Sequence, residues 1–159
     1  MTRGYSLLVL AGLRRPGVSW RELGVVAAAA WLLVAVRFAL ARRGYEWTSG
    51  QLERVARRGA WTQRSIQPRR LALIVHACAR RLPGDFVCLP RSMVLDAMAR
   101  QRGLETRVVH GVRGEGTARE FHAWVEMAGS PLNERPAVVA TYQPIFGPPS
   151  SGLAESDGS

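Results

Sequence analysis

Cys88 is the side chain in this sequence that is best suited to nucleophilic chemistry. It stands directly before Leu89 and Pro90, and proline is tolerated in the first turn of a helix, where its missing N–H group costs nothing. The sequence therefore predicts that Cys88 lies at the N-terminal end of a helix. Free N–H groups and the positive end of the helix dipole favour a thiolate there, and they also stabilise a developing oxyanion. Both effects serve acyl-transfer chemistry.

A thiolate nucleophile needs an imidazole partner, and His122 is the best candidate. It lies in an alternating, strand-like segment, on the face opposite Ala123 and Val125. A third group commonly orients the imidazole in such sites. Asn133 and Glu134 follow after a turn, where we expect an antiparallel neighbour strand. The order along the chain is thus Cys, His, acid, with Asn133 as the alternative to Glu134.

The other cysteine and histidines have simpler interpretations. Cys78 lies on the apolar stripe of a predicted helix, so we assign it to packing. His76 is predicted at a helix surface. His110 is predicted in a strand, where it is either a core or surface residue or lines a cleft beside Cys88 and His122. Trp124 either shields the His–acid pair from water or is an ordinary strand aromatic. These residues show no zinc or iron spacing and no phosphate loop, so no metal and no cofactor is predicted.

Four helices and three strands are predicted to position these groups. Apolar residues recur at helical spacing from about Trp20 to Arg42 or Arg43, from Ser49 to Arg58, from Pro68 or Arg69 to Leu82, and from Pro90 to Arg102. The strands are predicted at Glu105–Val112, Phe121–Met127 and Pro136–Tyr142. Helices followed by an antiparallel meander indicate an α+β fold.

The chain is predicted to have three regions. Residues 1–67 form a helical, arginine-rich region for docking a partner, residues 68–146 form the core with the reactive side chains, and residues 147–159, rich in Pro, Gly and Ser, form a flexible tail.

Positive charge is concentrated in the first half of the chain. Residues 1–70 hold 13 arginines and 3 acidic residues, whereas residues 71–159 hold 9 of each, and the net charge is +10. No helix-turn-helix or RNA-binding signature accompanies the arginines, so nucleic acid is not a predicted partner. An acidic peptide or an acidic partner protein fits this charge better.

The apolar run Val25–Val36 raises the question of a membrane. Twelve helical residues cover roughly 18 Å, which is shorter than the hydrocarbon core of a bilayer, and Arg37 interrupts the run. We therefore predict a buried or partner-facing helix, with peripheral contact to a membrane as the alternative. Two cysteines are too few for a disulfide framework and no cleavable signal is recognised, so the predicted location is the cytoplasm.

The segment Leu71–Glu134 resembles the leader peptidases of lasso-peptide biosynthesis, which are transglutaminase-like maturation proteins, in their stand-alone form without a fused recognition domain. The matching motifs are Cys88–Ser92, Arg102–Leu104, His110–Val112, Phe121–Glu126, and Gly129 followed by Pro131–Glu134. The first half of the chain matches only in its apolar and arginine-rich character. For residues 1–67 the resemblance implies docking of a partner or of the leader peptide.

This resemblance implies a papain-like cysteine peptidase with a helix carrying Cys88 packed on an antiparallel sheet. Cys88 takes the family's nucleophile position and His122 its base position. The third member is usually Asp, and Glu134 stands there in this sequence. The resemblance also implies cleavage of a leader from a ribosomally made precursor, a separate leader-recognition protein as partner, and a ring-forming synthetase as a further partner. The alternatives are a transglutaminase-like acyl transferase and a non-catalytic leader-binding scaffold.

Overall fold

A computed structural model of the protein describes residues 22–59, 65–84 and 87–146. The predicted helix start at Trp20 and the predicted tail at 147–159 lie outside these residues. The elements are, in chain order, helices α1 (Leu23–Arg57), α2 (Pro68–Arg81) and α3 (Cys88–Arg100), strands β1 (Thr106–Arg113), β2 (Glu120–Met127) and β3 (Ser130–Pro131), helix α4 (Pro136–Val139) and strand β4 (Gln143–Phe146).

Helix α1 is interrupted at Gly44, where the first predicted helix ends. Gly44 has φ 78° and ψ −178°, a left-handed φ that glycine adopts at little cost. The second helical segment follows almost directly, and the Thr48 hydroxyl donates to the Gly44 carbonyl at 2.7 Å. The prediction of two helices separated by this glycine is therefore confirmed, although the second begins earlier than Ser49.

The three long helices share one hydrophobic core. One stripe of the apolar run in α1 belongs to this core. It packs against buried side chains of α2 and α3 and against Val125 of the sheet. The bidentate ion pair between Arg70 and Glu22, at 2.8 Å for both contacts, ties the start of α1 to α2. Whether residues 1–67 act as a separate docking region stays a prediction.

The four strands form an antiparallel sheet in the order β3-β2-β1-β4. Ala123 is paired with His110, and Trp124 with Val109, so alternate residues of β1 and β2 point to the same face. One face carries Val125 into the helical core, and the other carries Val109, Trp124 and Tyr142 in a small second cluster. The predicted α+β architecture, with a helix packed on an antiparallel sheet, is confirmed.

The predicted third strand at Pro136–Tyr142 is wrong. Its first four residues form α4, because Pro136 has the fixed φ of a first helical residue and the Arg135 carbonyl accepts hydrogen bonds from the N–H groups of Val138 and Val139. The last strand is β4, which pairs with β1. The expected neighbour strand around Asn133 and Glu134 is also wrong, since these residues follow the two-residue strand β3 in a loop.

Candidate active site

Cys88 is the first residue of α3. Val87 precedes the helix with an extended backbone, and Pro90 lies in the first turn, so the predicted position of Cys88 at a helix N-terminus is confirmed. The first N–H groups of an α-helix have no acceptor within the helix. Those of Cys88 and Leu89 therefore offer hydrogen bonds to an anion formed beside the sulfur.

Polar contacts fix α3 against the open edge of β2. The Ser92 hydroxyl, completely buried one turn after Cys88, donates to the Ala123 carbonyl at 2.9 Å. The Ala123 N–H in turn donates to the Cys88 sulfur. Because the carbonyl and the N–H of Ala123 both bind side chains of α3, the position of the helix along β2 is fixed. This register brings Cys88 next to His122.

Asn133 belongs to this same set of contacts rather than to the imidazole. Its Oδ1 accepts from the Val125 N–H at 2.8 Å, and its Nδ2 donates to Ser92 Oγ at 3.3 Å. With both ends of the amide engaged on β2 and α3, Asn133 holds the loop after β3 against the core. The loop then presents the next side chain, Glu134, to His122.

The His122 ring lies between Cys88 and Glu134. Its Nε2 is 3.1 Å from Glu134 Oε2, and the ring also hydrogen-bonds the Cys88 sulfur. Since Nε2 is occupied by the carboxylate, Nδ1 is the nitrogen that faces the sulfur. The structure thus brings together all three residues that the sequence singled out, and it places Glu134 rather than Asn133 beside the imidazole. Their catalytic roles stay predictions.

Two aromatic rings support the His122 imidazole from the sheet face. The Tyr142 ring is stacked at a centroid distance of 5.1 Å and the Trp124 ring at 6.1 Å. Gly111 makes room for both, because a Cβ at this position would lie 2.7 Å from a Trp124 ring carbon and 2.9 Å from the Tyr142 Cβ. Trp124 is almost completely buried, and its role in shielding the His–acid pair from water stays a prediction.

The electrostatics of the three groups favour charge separation. Burial alone would raise the pKa of Cys88, but the hydrogen bonds from His122 and from the Ala123 N–H outweigh it, and the pKa of the thiol is lowered. Hydrogen bonds to Cys88 and Glu134 raise the pKa of His122 to about 9. The hydrogen bond from His122 lowers the pKa of Glu134 in spite of its burial. The imidazolium and the carboxylate are therefore the favoured forms near neutral pH, and the Cys88 thiol loses its proton more readily than an ordinary cysteine.

A cavity of about 110 Å³ adjoins His122 on the side of α2. Its lining includes Arg91 and His76, whose contact is 3.1 Å between Arg91 Nη1 and His76 Nδ1. Burial and the charge of Arg91 lower the pKa of His76, so its Nδ1 accepts this hydrogen bond as a neutral ring. The charge of Arg91 also contributes to the lowered pKa of Cys88.

The remaining sequence expectations have clear outcomes. Cys78 is buried in the helical core, and burial raises the pKa of its thiol, so its assignment to packing is confirmed. His76 is exposed as predicted, but it also lines the cavity. His110 lies on the other face of the sheet from His122, where its Nε2 is 3.2 Å from the Tyr45 hydroxyl.

Sequence reasoning missed the supporting residues of the site. Ser92 lies four positions after Cys88 and therefore on the same helix face, a spacing that could have identified it. Tyr142 could not have been found in this way, because its position under His122 depends on the unpredicted helix α4.

A comparison with models of protein families gives one match that bears on this geometry. It is to the transglutaminase-like superfamily and covers residues 32–147, which is more than half of the chain and includes Cys88, His122 and Glu134. The chain belongs to the transglutaminase-like superfamily. Comparisons with curated proteins and with solved structures gave no match.

Membership of the transglutaminase-like superfamily narrows the chemistry. The superfamily includes cysteine peptidases and acyltransferases, both of which form a thioester between a cysteine and an acyl group. The match begins inside α1 and extends to the end of β4. Most of α1 is thus part of the superfamily domain, together with the site.

Proposed function

We propose that this protein is a cysteine peptidase that removes the leader peptide from a lasso-peptide precursor. The main support is the continuous hydrogen-bonded chain from Cys88 through His122 to Glu134, at the start of a helix in a transglutaminase-like domain. The motifs around these residues resemble those of the stand-alone leader peptidases, which supports the substrate class. A cytoplasmic location, a separate leader-recognition protein and a ring-forming synthetase as partners belong to the same proposal.

In the acylation step, the Cys88 thiolate attacks the scissile carbonyl carbon. The negative charge moves to the carbonyl oxygen, which the N–H groups at the start of α3 stabilise. The carbon–nitrogen bond then breaks, and the His122 imidazolium gives its proton to the leaving amine. The products of this step are a free amine on the core peptide and a thioester that joins the leader to Cys88.

In the deacylation step, neutral His122 accepts a proton from water, which attacks the thioester carbonyl. The second tetrahedral intermediate collapses with release of the Cys88 thiolate, and the proton remains on His122. The leader leaves with a free carboxylate. Glu134 stabilises the imidazolium in both steps and keeps the ring turned toward the sulfur.

The test is processing of a lasso-peptide precursor by the purified protein together with a leader-recognition protein, followed by mass spectrometry. We expect a leader and a core whose masses sum to that of the precursor plus one water. Cys88→Ala should abolish this reaction, by about a thousandfold or more, and leave the fold intact. Cys78→Ala is the matched control and should retain cleavage, because this thiol lies in the core.

Other products would point to the other functions. A new amide between the leader and an added amine would assign acyl transfer in place of hydrolysis. Normal cleavage by the Cys88→Ala protein would reject Cys88 as the nucleophile. Binding of the leader by the wild type without cleavage or transfer would reject the peptidase and leave a binding scaffold.

A further inference from the structure

The outer face of α1 carries a stripe of exposed apolar side chains that is separate from its buried stripe. Ala27, Trp31, Val34 and Phe38 follow one another at spacings of four, three and four residues, which places them on one side of the helix. Trp31 is 63% exposed and Phe38 57% exposed. The neighbouring Leu33 belongs to the opposite stripe and is completely buried in the core.

Helix α1 is thus apolar on the side that faces the protein and on the side that faces away from it. Its most apolar window of 18 residues has a mean hydropathy of 2.2, and only 33% of that window is buried. By length and composition the helix could cross a membrane, but its buried stripe packs on α2 and α3. The exposed apolar side chains of such a helix indicate that its outer face contacts a second apolar environment.

The charges beside this face are mainly positive. No acidic residue occurs between Glu22 and Glu46, whereas Arg42 and Arg43 follow the apolar stripe. Glu46 is the one carboxylate close to these arginines in the sequence, which leaves this end of the stripe with a net positive charge. The Arg42 guanidinium carbon lies 5.7 Å from the centre of the Phe38 ring, and that of Arg43 lies 5.8 Å from the Trp47 ring. The occupant of the face must therefore combine an apolar surface with negative charge.

A second copy of the chain meets this requirement less well. If two α1 helices packed antiparallel through their outer faces, the arginines of one copy would face the first half of the other helix, which has no carboxylate after Glu22. If they packed parallel, the four arginines would lie together with only the two Glu46 carboxylates to balance them.

An anionic bilayer supplies both components. Its acyl region accepts apolar side chains such as Trp31 and Phe38, and its phosphates attract the arginines at the end of the stripe. Trp47 is exposed near this end, beside Arg43, and tryptophan is favoured at the lipid–water boundary. We propose that the outer face of α1, formed by Ala27, Trp31, Val34 and Phe38 with Arg42 at its end and Arg43 next to it in the sequence, binds anionic lipid bilayers peripherally. No residue of this face lines the cavity beside His122, so the proposed membrane face and this cavity are formed by different residues.

The test is flotation of the full-length protein with phosphatidylcholine vesicles, with and without phosphatidylglycerol. We expect binding to the anionic vesicles and weaker binding at high salt. The double variant Trp31→Ser/Phe38→Ser should bind these vesicles at least about tenfold more weakly than the wild type does. Leu73→Ser is the matched control, an exposed leucine on α2, and should bind as the wild type does.

A second variant keeps the test decisive if the first is poorly folded. Arg42→Gln/Arg43→Gln should reduce binding to the anionic vesicles about tenfold, and circular dichroism should show an unchanged helix content. The proposal is overturned if the wild type binds neither kind of vesicle, or if both double variants float as the wild type does. It is also overturned if the lipid-free protein sediments as a dimer that Trp31→Ser/Phe38→Ser converts to a monomer, since a second copy then covers the face. None of these outcomes depends on peptidase activity.

Discussion

At the scale of single residues, Cys88 and Glu134 together raise the proton affinity of His122, and Glu134 is the partner that does not take part in the covalent chemistry. Its carboxylate accepts a hydrogen bond from Nε2 at 3.1 Å, and this contact is one of the two main causes that raise the pKa of His122 to about 9. The longer reach of Glu compared with Asp is accommodated because Asn133 fixes the loop through β2 and α3. The Glu134 carboxylate thus reaches the imidazole from a loop, without being part of a strand.

This arrangement predicts a pH effect for Glu134 variants. The value of kcat/KM should rise with pH as Cys88 ionises and fall above about 9 as His122 loses its proton. Glu134→Gln removes a negative charge that favours the imidazolium, so the falling limb should move to lower pH. Glu134→Asp should retain much of the activity, while Glu134→Ala should lose about a hundredfold.

The measurement is the pH profile of precursor cleavage for the wild type and these three variants. Equal rates for Glu134→Asp and Glu134→Ala, or a falling limb that stays in place in Glu134→Gln, would remove Glu134 from the site.

At the scale of elements, the register of α3 on β2 positions the sulfur. The Ser92 hydroxyl bonds both the Ala123 carbonyl and the Asn133 amide, so it joins α3, β2 and the loop after β3 in one place. Ser92→Ala would leave two buried polar groups without this partner. We expect a loss of about 1–3 kcal/mol in the free energy of unfolding and a several-fold slower alkylation of Cys88 at neutral pH.

Thr106→Val is the matched control for Ser92→Ala. The Thr106 hydroxyl donates to Asp96 at 2.7 Å, a contact between β1 and the C-terminal half of α3. Its loss should also lower stability, as urea unfolding would show, but Cys88 alkylation should not change. If both variants alter alkylation to the same extent, Ser92 has only a general structural role.

The elements predicted from the sequence differ in how well they were located. Apolar periodicity and the prolines at 68 and 90 located α2 and α3 to within about two residues, and Gly44 marked the break in α1. The strand predicted at Pro136–Tyr142 failed because Val138 and Val139 have strand propensity, while Pro136 and local hydrogen bonds start a helical turn. Tertiary contacts with Trp124 and Val109 then stabilise that turn.

Dependence on tertiary contacts also limited the prediction of the candidate site. Cys88 and His122 could be selected from residue type and order, because each follows from a local pattern. The choice between Asn133 and Glu134 could not be made, since it depends on which side chain the β2 edge engages. Asn133 is held by the Val125 N–H, 8 residues before it, and by Ser92, 41 residues before it, and neither contact follows from a local sequence pattern.

At the scale of the whole molecule, α1 is a structural part of the domain that carries the site. Leu33 is completely buried between the helices, whereas the next residue, Val34, is on the outer face and 37% exposed. Leu33→Ala should therefore cost about 2–5 kcal/mol of unfolding free energy, and Val34→Ala less than about 0.5 kcal/mol. Chemical denaturation followed by circular dichroism measures both, and equal small effects would mean that α1 does not contribute to the core.

The ionisation of Cys88 can be measured directly by its rate of alkylation with iodoacetamide as a function of pH, in a Cys78→Ala background where it is the only thiol. The structure predicts a midpoint below the value of an ordinary thiol, about 8.5, because His122 and the Ala123 N–H stabilise the thiolate. It also predicts that His122→Ala raises this midpoint. A midpoint at or above the ordinary value, unchanged by His122→Ala, would show that Cys88 and His122 do not form a thiolate–imidazolium pair.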